Sequence, residues 1–444
     1  MKKNIINSVY GLALASLMLT ACSSAEDATT ANVPPTVDET AINFGAYMNR
    51  STTRGGWATE LTTATLQGPD AGFGVLAYYT DNQPYTPTAL PNFMYNQKVT
   101  YNAPDWVYAP LKYWPNEFGQ DAISTGIDRL SFFAYAPYID VDPVTGIATA
   151  DDDYGVVGLT RGAENGNPKA RYFVSFDPAQ RVDLCWATPN LNMTKQAINE
   201  KVLFEFKHAL ASINITVDAD MDVTGHAVSP LDPNTRIWVR SVTFEGLATK
   251  GDLNLNNKED VPEWYNIYSN DLLVGEPVTI YDGRRDGREG FAEMLNEKPA
   301  AINDVLVQID EYTVDATTDI LTGPTMPGVT NNPVNLFKNV TATEPIFVIP
   351  TGEPLRITIT YDVETYDKKL VSTFLSDTKT HGSTVENTIT QVVQAGGGNL
   401  TLQAGKQYTI ALHLGMTSVK VDASVDPWVT GDDTDTDLPA NSNL

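Results

Sequence analysis

The chain has 444 residues, 42% of them hydrophobic, and a formal net charge of −26 from 55 acidic against 29 basic side chains. That length admits two or three domains, each able to bury a sizeable core. The acidity argues against nucleic acid as a partner, because phosphate binding needs concentrated Lys and Arg, and it disfavours adsorption to anionic lipid.

Lys2 and Lys3 precede a charge-free run, Val9–Leu19. The run has the length of a signal-peptide core and is too short to span a bilayer. It ends in Leu19-Thr20-Ala21-Cys22, which is similar to a bacterial lipobox. That likeness implies removal of residues 1–21 as a lipoprotein signal peptide and acylation of Cys22, so that membrane attachment comes through the lipid alone. Acyl chains contribute about 0.8 kcal/mol per buried CH₂, and two or more anchor stably. Residues 23–38 are small, polar and Pro-containing, the composition of a flexible tether. With Cys22 acylated, Cys185 has no partner within the chain, so the fold does not depend on disulfides. Cys185 lies in the apolar stretch Val182–Ala187, where it reads as a buried, inert thiol.

From residue 42 onward, period-2 alternation dominates. Ile42, Phe44, Ala46 and Met48 alternate with Asn43, Gly45, Tyr47 and Asn49. Further strands are expected at Gly74–Tyr79, Ile127–Ala136, Tyr172–Phe176 and Val182–Ala187. Alternation continues through Val202, Phe204 and Phe206, through Ile213, Ile215 and Val217, and through Arg236–Phe244. The clearest strand is Leu355–Glu364, with Leu355, Ile357, Ile359, Tyr361 and Val363 on one face. Tyr408–Met416 and the series Val419, Val421, Ala423, Val425 complete the set. Only Phe291–Asn296 hints at a helix. Short strands joined by turn-rich connections predict an all-β chain of sandwiches. The polar stretch Pro189–Glu200 is the expected domain boundary, and Asp432–Asp437 opens an acidic tail.

Catalytic signatures are missing from this pattern. The four histidines, at 208, 226, 381 and 413, lack metal-ligand spacing. His208 follows Phe204 and Phe206 on one strand face and reads as a hydrogen-bonded core histidine. No nucleophile elbow, P-loop or dinucleotide fingerprint occurs. Asp218-Ala219-Asp220-Met221-Asp222 starts like a calcium loop, but Val223 and Ser229 stand where glycine and glutamate belong. No catalytic residue, metal or cofactor is therefore expected. Trp106, Tyr108, Tyr113 and Trp114 form an aromatic cluster that reads first as packing, the alternative being a stacking surface for sugars or a protein partner.

Several segments together resemble the fimbrillin family of Bacteroidales lipoproteins, the subunits of type V pili. They are Ala41-Ile42-Asn43-Phe44, Thr53-Arg54-Gly55, Tyr113-Trp114-Pro115, Leu130–Pro137, Val182-Asp183-Leu184, Phe204–Leu210, Gly405–Ile410 and Val425-Asp426-Pro427-Trp428. The resemblance implies two transthyretin-like β-sandwich domains in tandem, a structural role in fimbriae and no enzymatic activity. The chain then divides into a tether and propeptide at 22–54, an N-terminal sandwich at 55–195, a C-terminal sandwich at 196–430 and a tail at 431–444. It further implies export to the outer membrane as a lipoprotein, cutting by a trypsin-like protease after an arginine, and loss of the first strand. Here the removable strand is Ile42, Phe44, Ala46 and Met48, and the cut follows Arg54, with Arg50 as second candidate. The groove accepts a strand from a neighbouring subunit by β-strand addition. Val419, Val421, Ala423 and Val425 are the possible donor, or else the last strand of the second domain. Beyond Trp428 the chain is Asp-rich and lacks apolar alternation, which leaves shaft, tip and accessory roles open. Other fimbrial subunits and an adhesion ligand are the implied partners. The rival is a monomeric surface lipoprotein that binds glycans or host protein through Trp106, Tyr108 and Trp114.

Overall fold

A computed structural model of the chain describes residues 41–48, 61–69, 71–120, 126–150, 153–176, 180–197, 200–219, 235–269, 272–273, 276–282, 313–314, 321–322, 334–336, 345–366, 382–415 and 419–427. All of these belong to one unit, Thr40–Leu444. In chain order the strands begin β1 (Phe44–Met48), β2 (Phe73–Tyr79), β3 (Met94–Asn102), β4 (Asp105–Val107), β5 (Leu130–Ala136) and β6 (Gly155–Leu159). They continue β7 (Lys169–Phe173), β8 (Cys185–Ala187), β9 (Asn190–Met193), β10 (Val202–His208), β11 (Ala211–Ala219) and β12 (Thr235–Glu245). Then follow β13 (Leu247–Ala248), β14 (Lys250–Asn254), β15 (Trp264–Ser269), β16 (Leu272–Leu273) and β17 (Val278–Asp282). A single-turn helix, Thr63–Leu66, is opened by a capping box in which Thr62 and Thr65 exchange side-chain and backbone bonds.

The first sheet runs β2–β3–β4–β1–β10–β8–β5, and β5 pairs back to β2, so seven strands close a ring. Phe44, Phe73, Phe132, Phe204, Phe206, Trp106 and Trp114 fill its interior. A second, five-stranded sheet, β16–β15–β14–β7–β6, covers the outside of β2, β5 and β8. Tyr172 and Leu253 on its inner face meet Tyr78, Phe133 and Trp186 from the ring. This two-sided cover explains the near-continuous apolar run in β5, since every residue from Leu130 to Ala136 is buried.

Beyond β11 the chain builds a sandwich. One layer is β17–β12–(Arg356–Tyr366)–(Gly382–Val392), and the other is β13–(Ile346–Pro350)–β11–(Lys406–Leu414)–(Val419–Pro427). Leu355, Ile357, Ile359 and Tyr361 are buried between the layers, as their alternation predicts. Outward Thr358 and Thr360 pair with Thr390 and Thr388 at 2.8 and 3.2 Å. The Tyr361 hydroxyl donates to the Gly415 carbonyl at 2.9 Å, and burial pushes its pKa up to about 12.

Several elements differ from the sequence reading. Within Pro189–Glu200, Asn190–Met193 forms β9 beside β5, with the Asn192 backbone N–H bonded to Ser131 Oγ at 2.9 Å. Strands from either side of residue 195 share sheets: β10 completes the ring, while β14 and β15 extend the sheet begun by β6 and β7. The strand expected at Tyr172–Phe176 starts at Lys169, because outward Lys169 and Arg171 alternate with inward Ala170 and Tyr172. Phe291–Asn296, His226, His381 and Asp432–Asp437 lie outside the described residues. No helix among the described residues is long and apolar enough to cross a membrane.

The two-faced sandwich sets a measurable contrast between adjacent residues. Ile359→Ala should cost about 2–5 kcal/mol of stability and Thr360→Ala less than about 1 kcal/mol. Urea unfolding of both variants checks this; equal losses would contradict the assignment of faces.

Candidate strand-exchange site

Strand β1 is the stave that closes the ring. It runs parallel to β10 over five register pairs, Phe44↔Val202 through Met48↔Phe206. On its other side it meets β4 at one pair only, Phe44↔Trp106. Flanking bonds hold its ends: the Ile42 backbone N–H donates to the Lys112 carbonyl at 2.9 Å, and that of Val202 to the Asn43 carbonyl at 2.8 Å. Met48 donates its backbone N–H to Thr63 Oγ1 at 3.1 Å.

The expected alternation is present. Ile42, Phe44, Ala46 and Met48 are 0%, 1%, 9% and 3% exposed and face the ring interior. Phe44 contacts the rings of Tyr108, Phe204 and Phe132 at centroid distances of 5.1, 5.7 and 5.9 Å. On the outer face, a Cβ at Gly45 would stand 2.6 Å from Leu203 Cδ2. Leu203, half exposed, therefore lies across the backbone of β1 where glycine leaves room. Tyr47 is half-buried, and its hydroxyl pKa is raised by desolvation and then by Glu205.

The aromatic cluster supports β1. Trp106 and Trp114 are buried in the ring core; only Tyr113 of the four residues is exposed. The Tyr108 hydroxyl donates to the Ile42 carbonyl at 2.9 Å and accepts from the Lys112 backbone N–H at 3.2 Å. Burial pushes its pKa up to about 12. Trp106, Tyr108 and Trp114 thus pack as first read, against Phe73, Phe44 and Phe132, and the alternative of a stacking surface formed by these three rings is set aside.

A buried polar group fixes the chain just downstream. Asp183 Oδ2 accepts from the Leu61 backbone N–H at 2.8 Å and lies 2.8 Å from His208 Nδ1. Cys185 Sγ is 3.5 Å from the same nitrogen. Burial, with the Asp183 charge adding, pushes the Cys185 thiol pKa up, as an inert thiol requires. Asp183, Cys185 and His208 form the one cluster of metal-ligand type among the described residues. Their donor atoms are committed to one another and to Leu61, so the arrangement works as a cross-link between β8, β10 and residue 61.

Cys22, Arg50 and Arg54 lie outside the described residues, in 1–40 and 49–60. The link 49–60 is bounded by anchored ends at Met48 and Leu61. Val419, Val421, Ala423 and Val425 lie on the outermost strand of the sandwich, in nine-pair register with Lys406–Leu414. The first three pack against the sandwich core, and Val425 is exposed. Asp218, from the calcium-like stretch, is instead buried and bonded to His413 Nδ1 at 2.6 Å. Sequence reasoning missed the Gly45–Leu203 contact and the Leu61–Asp183 anchor; a lone glycine inside an alternating strand was the only visible signal.

Residues 59–263 match the profile of the family described as fimbrillin-like. Over 445 aligned residues the chain is 25% identical to a fimbrium subunit, Fim1C, of Phocaeicola vulgatus, covering 96% of this chain and 97% of that one. Its fold is similar to the crystal structure of a fimbrial protein from Bacteroides vulgatus, with a TM-score of 0.52 and 20% identity over 87% of this chain and 99% of the other.

Phe44 fills the centre of the ring, so Phe44→Ala should destabilise the protein by about 3–5 kcal/mol. Thermal unfolding followed by near-ultraviolet circular dichroism measures the loss, and an unchanged transition would show that β1 does not close the ring.

Proposed function

We propose, from the match of residues 59–263 to the fimbrillin-like family, that the chain is a structural subunit of cell-surface fimbriae assembled by strand exchange at the β1 groove. The observation that carries this reading is β1 itself. It is a core strand whose covalent tie to the rest of the ring is the link 49–60, which contains Arg50 and Arg54. A cut there severs the strand covalently while the ring still holds it by side-chain burial.

Losing β1 uncovers the pockets of Ile42, Phe44 and Met48, each worth about 1.5–3 kcal/mol when filled. It also leaves β10 with an unpaired edge. An edge of that kind recruits another strand. The matched family region begins at residue 59, downstream of both arginines, which fits a mature subunit that starts beyond the cut.

The donor we assign is the C-terminal strand of a neighbouring subunit. Set against Ile42, Phe44, Ala46 and Met48, the series Val419, Val421, Ala423, Val425 places its one small residue at the position of Ala46. As the outermost strand of its sheet, it leaves fewer partners behind than any inner strand. In this register Asp422 takes the place of Gly45, and the end of the Leu203 side chain swings aside to admit it.

Before assembly, Cys22 holds the subunit at the outer membrane by its acyl groups, and a trypsin-like protease performs the cut after Arg54 or Arg50. The acidic surface keeps subunits soluble until strands are exchanged. No step in this scheme requires catalysis by the subunit itself or a cofactor, and the assembled fimbria presents the subunit for adhesion.

Two experiments test this. In the Arg50→Ala, Arg54→Ala double variant, the acylated precursor should persist and SDS-resistant polymers should be lost; unimpaired polymerisation would sink the maturation step. A mixture of Leu203→Cys and Asp422→Cys subunits, cleaved and oxidised, should yield disulfide-linked dimers, and only monomers in a sample that still polymerises would exclude this donor register.

A further inference from the structure

The outer face of the five-stranded sheet carries a different kind of surface. On β7, Lys169, Arg171 and Phe173 point away from the ring, and on β14 Lys250 and Asp252 do the same. Cross-strand register sets Phe173 and Tyr268 on either side of Lys250, and Arg171 and Tyr265 on either side of Asp252. A bulge between the β14 and β15 pairings puts Asn266 at φ 47° and turns its side chain to Asp252. Arg171, Phe173, Lys250, Asp252, Asn266 and Tyr268 line an open depression of about 580 Å³.

The polar groups here are pre-positioned. Asp252 receives Arg171 Nε at 3.0 Å on one oxygen and Asn266 Nδ2 at 2.7 Å on the other. Because Nε is the nitrogen committed to Asp252, the two terminal amino groups of Arg171 form a fork for a planar anion. The Arg171 side chain is 59% exposed, whereas its anchor Asp252 is 11% exposed. Tyr265 and Tyr268 are each 39% exposed. Lys250 lies 4.9 Å from the Phe173 ring centre and Lys169 lies 4.6 Å from that of Tyr265. Tyr265 also donates to Glu263, which accepts from Asn254 at 2.7 Å.

We propose that this face is a binding site for saccharides bearing a carboxylate, with the Arg171 fork taking the carboxylate and Tyr268 carrying the sugar ring. Lys169 and Arg171 place positive charge on one face of a chain with net charge −26, which suits a ligand bearing negative charge. Asp252 and Glu263 lie among them and would repel a polyacidic peptide, whereas a sugar with one carboxylate and many hydroxyls uses acceptors as well as donors. A sheet face, unlike a sheet edge, offers no main-chain groups to an extended peptide. Exposed rigid rings supply apolar area at little entropic cost. None of these residues lies on β1, β10 or the C-terminal strand, so the site is separate from strand exchange.

Saturation-transfer NMR and titration calorimetry on the full-length protein test the proposal, with 3′-sialyllactose and a glucuronic-acid-terminated disaccharide as probes and lactose as the neutral control. At least one acidic sugar should bind tenfold or more tightly than lactose. Arg171→Lys, which keeps the charge but loses the fork, and Tyr268→Ala should each weaken that binding at least tenfold, with unfolding transitions unchanged. Arg171→Lys subunits should still polymerise, which separates failure of this site from failure of the assembly reading. The proposal is overturned by silence from both acidic sugars at millimolar concentration, by equal binding of lactose, or by binding indifferent to both variants. Tighter capture of a synthetic peptide of residues 431–444 than of either sugar also overturns it, in favour of a protein partner.

Discussion

Strand β1 is held by two very unequal borders, five register pairs with β10 and a single pair with β4. Most of its grip is therefore side-chain burial in the ring, through Ile42, Phe44, Ala46 and Met48. Burial of this kind is non-directional and tolerates exchange of one apolar series for another of similar size. The β10 border adds what burial lacks: a fixed register, because a one-residue slip would turn the apolar series outward. Gly45 under Leu203 adds a steric condition on the opposite face. The site therefore specifies spacing and size more than chemical identity.

The strands differ in how many cores they face. The three inward residues of β1, and Ile42 just before it, belong to the ring core alone. β5, by contrast, sends Phe132 into the ring and Phe133 into the layer between ring and five-stranded sheet. Ile346–Pro350 is split in the same way, with Ile346 and Val348 facing the sandwich and Phe347 and Ile349 facing the inter-sheet layer. Removing either strand would open two cores at once. β1 faces only one core, and the Asp183–His208–Leu61 cross-link ties β8, β10 and residue 61 together beside it.

What could be read from the sequence follows from which contacts are local. The alternating strands at 42–48, 202–206, 355–364 and 419–425 were legible because each has one buried face and one wet one. β5 was legible as a strand, but its burial on both faces was not, since a continuous apolar run does not name its second partner. β9 was hidden by Asn190 and Asn192, whose polarity reads as a linker until Ser131 is seen to satisfy the backbone of Asn192. The aromatic cluster at 106–114 was open between packing and binding, and only the positions of Phe44, Phe73 and Phe132 decide it. The cationic face was invisible because β7 lies some 80 to 100 positions before β14 and β15 and meets them only through register.

The ring also has a parity constraint. Seven strands cannot alternate direction at every border of a closed ring, so at least one border must be parallel. Six borders are antiparallel, and the parallel one is β1–β10. Antiparallel neighbours can be tied by tight hairpins, but a parallel neighbour must arrive through a long connection or from elsewhere. β1 is thus bound to the chain by the link 49–60 and by no hairpin. The odd number of staves thus requires a parallel border, and the apolar alternation of residues 42–48 lies along it.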